Sequence, residues 1–388
     1  MAGKNTKIRL RKPDAGNLTH SYHPYAAKFN PSVPAEILAR YAKPGYKVLD
    51  PFSGSGTTLV EALRCGCSAV GVDIHPLAVL VSRVKTTQLR RTACDEAAGV
   101  SVWAKKVADQ IAVDGVGSAA VNKWPKNIPD FDNKDHWFSR ESQTDLGLIR
   151  AKILSIKKGA LQDFLWLAFS MIILKSSRQD SETRYAAVNR SYVPGWALNA
   201  FSRKIQNMLV GMADFSETIK GKGTARVYNE DIREKGQWFA QGPFDLVVTS
   251  PPYANSYDYY LYHKHRMNWL GLDFRLAKDR EIGSRMEFSS QKAPIEKFFA
   301  DMGKAFANIS AALTPKAKCI VVQGDSRVAG VMYSGAETIK TVTAGTGLRI
   351  VSVKSVSQAL TSKTFNPSFA VSGKQEHVIV LEKAHKQE

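Results

Sequence analysis

The sequence predicts an α/β fold built on a mainly parallel sheet, and three observations predict it. Strand-length runs recur along the chain, at 47–52, 69–73, 225–231, 244–248 and 319–325. Between them lie segments whose apolar residues fall at three- and four-residue spacing, the helical period. A glycine-rich turn, Ser53-Gly54-Ser55-Gly56, joins the first strand to a helix. A strand buried on both faces reads as a nearly continuous apolar run, as in sheets covered by helices on either side. Phe244-Asp245-Leu246-Val247-Val248 is of that kind.

The elements follow in order. Residues 1–12 carry Lys4, Lys7, Arg9, Arg11 and Lys12 and no acid, which fits a basic arm over 1–19. His20–Phe29 is aromatic and polar, too irregular for a strand, and precedes a helix over 33–41. Lys47–Phe52 is a strand that enters the glycine turn, and a helix begins near Leu59–Leu63. Glycines at such a junction let backbone N–H groups approach a ligand at the helix N-terminus. The next strand, Ala69–Asp73, ends in an acid about 20 residues after the glycines, where doubly wound folds bind ribose hydroxyls. An acid there is also suited to capping the following helix.

From about Thr86 to Lys222 the pattern turns helical, with helices expected near 95–113, 144–158, 161–175 and 198–219. Two irregular stretches, 124–140 and 176–196, separate them. The second holds Arg178, Arg184, Tyr185, Arg190, Tyr192 and Trp196, a mixture suited to phosphate contact and base stacking, or to a solvated loop with aromatic anchors. The α/β pattern resumes with Ala225–Asp231 and then Phe244–Val248, which runs into Thr249-Ser250-Pro251-Pro252-Tyr253. Two prolines cannot continue a ladder, so the strand stops there, at a carboxyl edge where open α/β sheets place their sites. Pro251 offers a carbonyl in a stiff frame, Ser250 a hydroxyl acceptor and Tyr253 a flat ring. Together they can grip a planar amine. A loop through Tyr257, a helix to Leu270 carrying Lys264 and Arg266, an amphipathic helix over 294–313 and a strand at 319–325 follow. The runs 348–353 and 377–381 read as a terminal antiparallel pair.

The charge narrows the function class. Lys and Arg number 54 against 35 Asp and Glu, a formal net charge of +19, which favours polyanionic partners and nucleic acid above all. The four cysteines show no CxxC spacing, so neither a zinc site nor a disulfide framework is indicated, no metal is expected, and a reducing cytoplasm fits. The polar N-terminus lacks the apolar core of a signal peptide, and Phe164–Leu174 is too short to span a bilayer.

Asp50-Pro51-Phe52-Ser53-Gly54-Ser55-Gly56-Thr57 resembles the cofactor loop of S-adenosylmethionine-dependent methyltransferases. Together with Thr249-Ser250-Pro251-Pro252-Tyr253 downstream, it makes the chain similar to the DNA amino-methyltransferases, which modify cytosine N4 or adenine N6. The serine form of the tetrapeptide is typical of the cytosine-N4 group. His23-Pro24-Tyr25-Ala26-Ala27-Lys28-Phe29 resembles the family's aromatic-proline segment near the methionine end of the cofactor. The resemblance implies a Rossmann-like methyltransferase fold with a helical insertion. It divides the chain into a cofactor half at 20–85, an insertion at 86–222 and a catalytic half at 223–388.

It also implies roles, residue by residue. Ser250, Pro251, Pro252 and Tyr253 would form the catalytic pocket. S-adenosyl-L-methionine would contact Tyr25, Lys28, Phe29, Asp50, Pro51, Phe52, Gly54, Gly56, Thr57, Asp73, Ile74 and Asp231, with Glu230 the rival for the last position. Arg178, Arg184, Arg190, Tyr257, Lys264 and Arg266 are candidates for touching double-stranded DNA whose target base is flipped out. Such enzymes act alone as epigenetic markers or beside a cognate restriction endonuclease, and the residues do not separate the two. An adenine-N6 or RNA amino-methyltransferase and a non-catalytic nucleic-acid-binding protein stay open as alternatives. A dehydrogenase is disfavoured because the sequence after Gly56 departs from the dinucleotide pattern. The insertion precedes the Asp231 strand and no separate recognition domain follows the last strand, a departure from the family's usual arrangements.

Overall fold

A computed structural model describes residues 18–384 except 116, 220 and 358–374. The basic arm at 1–12 and the Ser/Lys/Asn stretch between the last two strands lie outside the described residues.

Among the described residues, seven strands form the main sheet: β1 (Lys47–Asp50), β2 (Ser68–Asp73), β3 (Ala225–Asn229), β4 (Phe244–Thr249), β5 (Leu313–Gly324), β6 (Leu348–Ser357) and β7 (Gln375–Lys383). Their spatial order is β6-β7-β5-β4-β1-β2-β3. Every neighbouring pair from β3 across to β5 is parallel, and β7 runs antiparallel to both β5 and β6. The expected terminal antiparallel strand is therefore present, inserted between β5 and β6. The chain leaves β1 toward β2 and β3, then returns to β4 on β1's other side. That reversal is the topological switch point, the crevice at which open α/β sheets bind ligands.

The longer helices are α1 (Ser32–Tyr41), α2 (Thr57–Arg64), α3 (Pro76–Thr86), α4 (Arg91–Asp114), α5 (Arg140–Leu154), α6 (Ala160–Ser176), α7 (Trp196–Thr218), α8 (Ile295–Ala311) and α9 (Gly335–Thr343). Strand alternation sends successive side chains to opposite faces. On β5, Ile320 and Val322 join Val33, Ile37 and Leu38 of α1 in one core, while Cys319 and Val321 join Phe298, Met302, Phe306 and Ile309 of α8 in the other. The α8 residues recur at helical spacing and all are buried, so Phe306→Ala would open a cavity costing about 3–5 kcal/mol.

The helical segment shares a core with the sheet's own helices. Val60, Leu63, Leu77 and Val81 of α2 and α3 pack with Ala104, Ile149, Phe164, Phe169 and Phe201 of α4 to α7. The Phe164–Leu174 run is the buried α6, and no described helix is long and apolar enough to cross a membrane. Several expectations shift in detail. The stretch at 176–196 holds a short hairpin, Gln179–Ser181 with Arg184–Ala187, where an irregular loop was expected. The helix expected to reach Leu270 is broken into Tyr259–Tyr262 and Lys264–Leu270. β3 ends at Asn229, before the acids, because the Glu230 carboxylate turns back to accept from the N–H groups of Gln237 and Trp238, both at 3.1 Å.

Candidate active site at the carboxyl edge of the sheet

The glycine loop is shaped from behind. Gly54 and Gly56 have φ of +47° and +73°, in the left-handed region. A Cβ on Gly56 would lie 2.8 Å from Ser82 Oγ and 2.9 Å from Ser82 Cα, so close packing on α3 also demands glycine. A Cβ on Gly54 would meet nothing nearer than Phe52 O at 4.0 Å, which leaves that side of the loop open to a ligand. Ser82 Oγ donates to Gly54 O at 2.8 Å and Lys85 Nζ donates to Ser55 O at 2.6 Å. Lys85 is fully buried. With two loop carbonyls held by α3, the backbone frame is fixed before any ligand arrives. Thr57, which opens α2, is buried at the loop's end, and Pro51 and Phe52 lead into the loop from β1.

Asp73 closes the loop from the β2 side. Its Oδ2 accepts from Gly54 N–H and its Oδ1 from His75 N–H, each at 2.8 Å. Burial pushes its carboxyl up to about 6, against these two bonds. Each oxygen retains a lone pair for a hydroxyl donor. Asn229 Nδ2 ties β3 to this point by donating to Asp73 O and Ile74 O at 3.0 and 2.9 Å.

One bond joins the two sequence motifs. β1 and β4 are parallel neighbours, with Leu49 opposite Val247, so Asp50 and Thr249 arrive together at the carboxyl edge. Thr249 Oγ1 donates to Asp50 Oδ1 at 2.7 Å, and both residues are buried. Burial pushes Asp50 up to about 6, with Thr249, Thr58 and the Phe52 N–H acting the other way. Ser250 follows immediately, half-buried, with Pro251 buried and Pro252 and Tyr253 half-buried. Burial raises the Tyr253 phenol, while hydrogen bonds with the Ser250 side chain and the Gly324 backbone oppose the rise. The tetrapeptide is thereby tied across to β5.

The N-terminal segment lies over the same edge. Tyr25 stacks on Tyr259 with ring centroids 5.5 Å apart and packs 5.0 Å from His263. Burial and the charge of Asp73 both raise the Tyr25 phenol. Lys28 Nζ donates to His20 O at 2.8 Å, holding the segment's own loop, and Phe29 packs on the α1 core. Glu281 Oε1 accepts from Tyr259 N–H at 3.0 Å. Burial, with Asp258 and Asp73 nearby, pushes the Glu281 carboxyl up to about 8. Sequence reasoning missed Glu281, His75, His263 and Lys85 as parts of this edge. None of them lies in a motif, and only the folded chain gathers them.

The remaining expected residues are placed differently. Asp231 is buried and receives Arg233 Nε at 3.0 Å and Arg233 Nη2 at 2.7 Å, with Arg280 3.1 Å away. Burial works to raise its carboxyl, but the Arg233 bonds and the Arg280 charge outweigh it and hold it below the usual range. Arg266 is a correction: expected on the DNA-facing surface, it is 1% exposed. Its guanidinium makes a forked pair with Glu182 at 2.6 and 2.8 Å and donates to Ser170 O at 3.0 Å. A charge inside the protein needs such partners, and this one is built into the core. Arg178 donates to His136 O at 2.9 Å, and Arg190 donates to Ser177 O at 2.9 Å, past the end of α6. Arg184 stays exposed, paired with Asp180 at 3.3 Å. Lys264 lies over the Phe274 ring at 5.7 Å, and Tyr257 packs against Tyr259 and Tyr262.

The glycine loop, Asp73 and the Ser250–Tyr253 tetrapeptide meet at one switch point. Residues 4–82 match the DNA methylase family model of the N6 and N4 type. The match takes in the aromatic-proline segment, β1, the loop and β2. Over 290 residues the chain is 30% identical to the Type II methyltransferase M.MvaI of Kocuria varians, covering 72% of this chain and 63% of that protein. It is 21% identical to the Type II methyltransferase M.MjaII of Methanocaldococcus jannaschii, covering 79% of this chain and 72% of that one. The chain thus spans less than two thirds of the first relative's length. Among solved structures it is similar to the rRNA methyltransferase aviRa from Streptomyces viridochromogenes, at 11% identity and a TM-score of 0.38, over 96% of this chain and 94% of that one.

Proposed function

We propose that the protein is a DNA methyltransferase that transfers a methyl group from S-adenosyl-L-methionine to the exocyclic N4 of cytosine. The observation that carries the reading is the Thr249–Asp50 hydrogen bond of 2.7 Å, which sets the amine-gripping strand end beside the cofactor-type loop. The residues fit the cofactor: the open side of Gly54 suits a close ligand, and Asp73 has acceptor capacity for ribose hydroxyls. S-adenosyl-L-methionine supplies an electrophilic sulfonium methyl when bound.

The chain's own residues supply the rest. The cytosine amine is a weak nucleophile because its lone pair is delocalised into the ring. Ser250 Oγ and the Pro251 carbonyl accept from its two N–H groups and favour a more tetrahedral nitrogen whose lone pair is available. Positive charge develops on that nitrogen as its bond to carbon forms and the carbon–sulfur bond breaks. The two acceptors stabilise that charge, and one amine proton then leaves to solvent. Alignment of the two reactants at about 3 Å carries much of the rate. A duplex base must be flipped out to reach this edge, with Tyr253 against its ring. We assign sequence recognition to the insertion at 86–222, with its exposed Arg184 as a phosphate contact and half-buried Lys264, outside the insertion, as a second. The match to the DNA methylase family model supports DNA as substrate.

The test is methyl transfer from labelled cofactor to unmethylated genomic DNA, read by nucleoside mass spectrometry. N4-methylcytosine is expected. N6-methyladenine would keep the chemistry and overturn the choice of ring, since the tetrapeptide grips an amine rather than a particular base. Cofactor binding without label in any nucleic acid would overturn the enzymatic reading.

A further inference from the structure

The carboxyl end of β5 carries a buried polar group beside the tetrapeptide, Gln323. Gln323 is 1% exposed, and among the described residues neither its Oε1 nor its Nε2 has a hydrogen-bond partner. A buried primary amide with both ends unpaired is costly, and folded proteins rarely keep one without a use for it. Its position is specific. β4 and β5 are parallel with Thr249 opposite Val321, so Gln323 stands two residues further toward the edge, level with Pro251 just past the end of β4. Adjacent strands lie about 4.8 Å apart. The next residue, Gly324, hydrogen-bonds Tyr253 through its backbone, and Arg327 O accepts from Asn255 Nδ2 at 3.0 Å. The segment at 323–327 is therefore bonded along the tetrapeptide and the loop that follows it. Helix α9 walls the other side: a Cβ on Gly335 would come within 2.7 Å of Gln323 O and 3.0 Å of Gln323 Cγ.

We propose that Gln323 reads the ring of the target base, its Nε2 donating to the ring nitrogen beside the reacting amine. This rests on the amine-methyltransferase reading and extends it. Ser250 and Pro251 take up the amine's N–H groups and leave the adjacent ring nitrogen as an acceptor that needs a donor. That nitrogen is N3 in cytosine. A carboxamide suits it because it donates without charge and also offers an acceptor. The unpaired state in the free protein is then a stability cost retained for recognition.

Gln323→Leu separates this role from a structural one. The substitution keeps a side chain of comparable volume and removes an unsatisfied buried amide, so thermal stability should hold or rise while recognition is lost. The full-length wild type and variant are compared for melting temperature, S-adenosylmethionine affinity by calorimetry, and kcat and KM on genomic DNA at saturating cofactor. The expected result is an unchanged or higher melting temperature, unchanged cofactor affinity, and kcat/KM for DNA reduced roughly tenfold or more. Once the methylated site is mapped, an oligonucleotide with 3-deazacytosine at the target should penalise the wild type and leave the variant's rate where it was. A clear fall in melting temperature would show that the amide holds the fold and would overturn the proposal, as would unchanged kinetics. A wild type that binds cofactor but methylates no DNA would overturn the methyltransferase reading and this one with it, and is told apart because the wild type itself is inactive.

Discussion

Replacing Thr249 by Val removes the bond between the two motifs while nearly conserving volume. Thr249 Oγ1 donates to a buried carboxylate at 2.7 Å, and a hydrogen bond to a charged group contributes about 1.5–3 kcal/mol. Asp50 keeps the Phe52 N–H at 3.3 Å, so a loss of about 2 kcal/mol in folding free energy is expected at pH 8. The loss depends on pH in a defined direction. Burial raises the Asp50 carboxyl from its ordinary value of 3.8 to about 6, and the threonine bond favours the ionised form against that rise. The bond's contribution is therefore full above about pH 7 and fades as the pH falls through 6, where a neutral carboxyl accepts about half as strongly. Urea unfolding of wild type and Thr249→Val at pH 8 and pH 5 measures it, with the same substitution in an Asp50→Asn background as control. There the cost should be small and nearly independent of pH. A loss under about 0.5 kcal/mol at pH 8, or one equal at both pH values, would refute the idea that this bond serves an ionised Asp50.

Other outcomes follow from the same geometry. Ser250→Ala should lower kcat by roughly a hundredfold with cofactor affinity intact, because it removes an acceptor that matters most as charge develops; equal losses in both would place Ser250 elsewhere. Asp73→Ala should weaken S-adenosylmethionine binding, and wild-type affinity should fall about fourfold from pH 7.5 to 5.5 as a carboxyl near 6 takes up its proton, a dependence calorimetry would find missing in the variant. Arg266→Ala should destabilise the fold by about 3 kcal/mol, since it strips the Glu182 pair from a buried site, and should leave the salt dependence of DNA binding unchanged. Arg184→Ala should do the reverse, with little effect on stability and a salt slope shallower by about one; an unchanged slope would remove Arg184 from the interface.

The sequence by itself determined the sheet and the two motifs. Strand runs, helical spacing and the glycine turn are local signals, and Asp50, Gly54, Gly56, Asp73 and Ser250 all sit at strand ends or in the turn between them. The antiparallel end was legible in the two apolar runs near the C-terminus, which pair with each other and with β5. What the local pattern could not carry was the use of each charge. A guanidinium in a run of aromatics reads the same whether it faces phosphate or a buried acid, and only packing put Glu182 against Arg266, 84 positions away in the chain. The Lys85 ammonium on the loop carbonyl, the Glu281 carboxyl under Tyr259 and the unpaired amide of Gln323 were hidden likewise. Burial and partnership belong to contacts between distant segments, and the tertiary structure alone makes them.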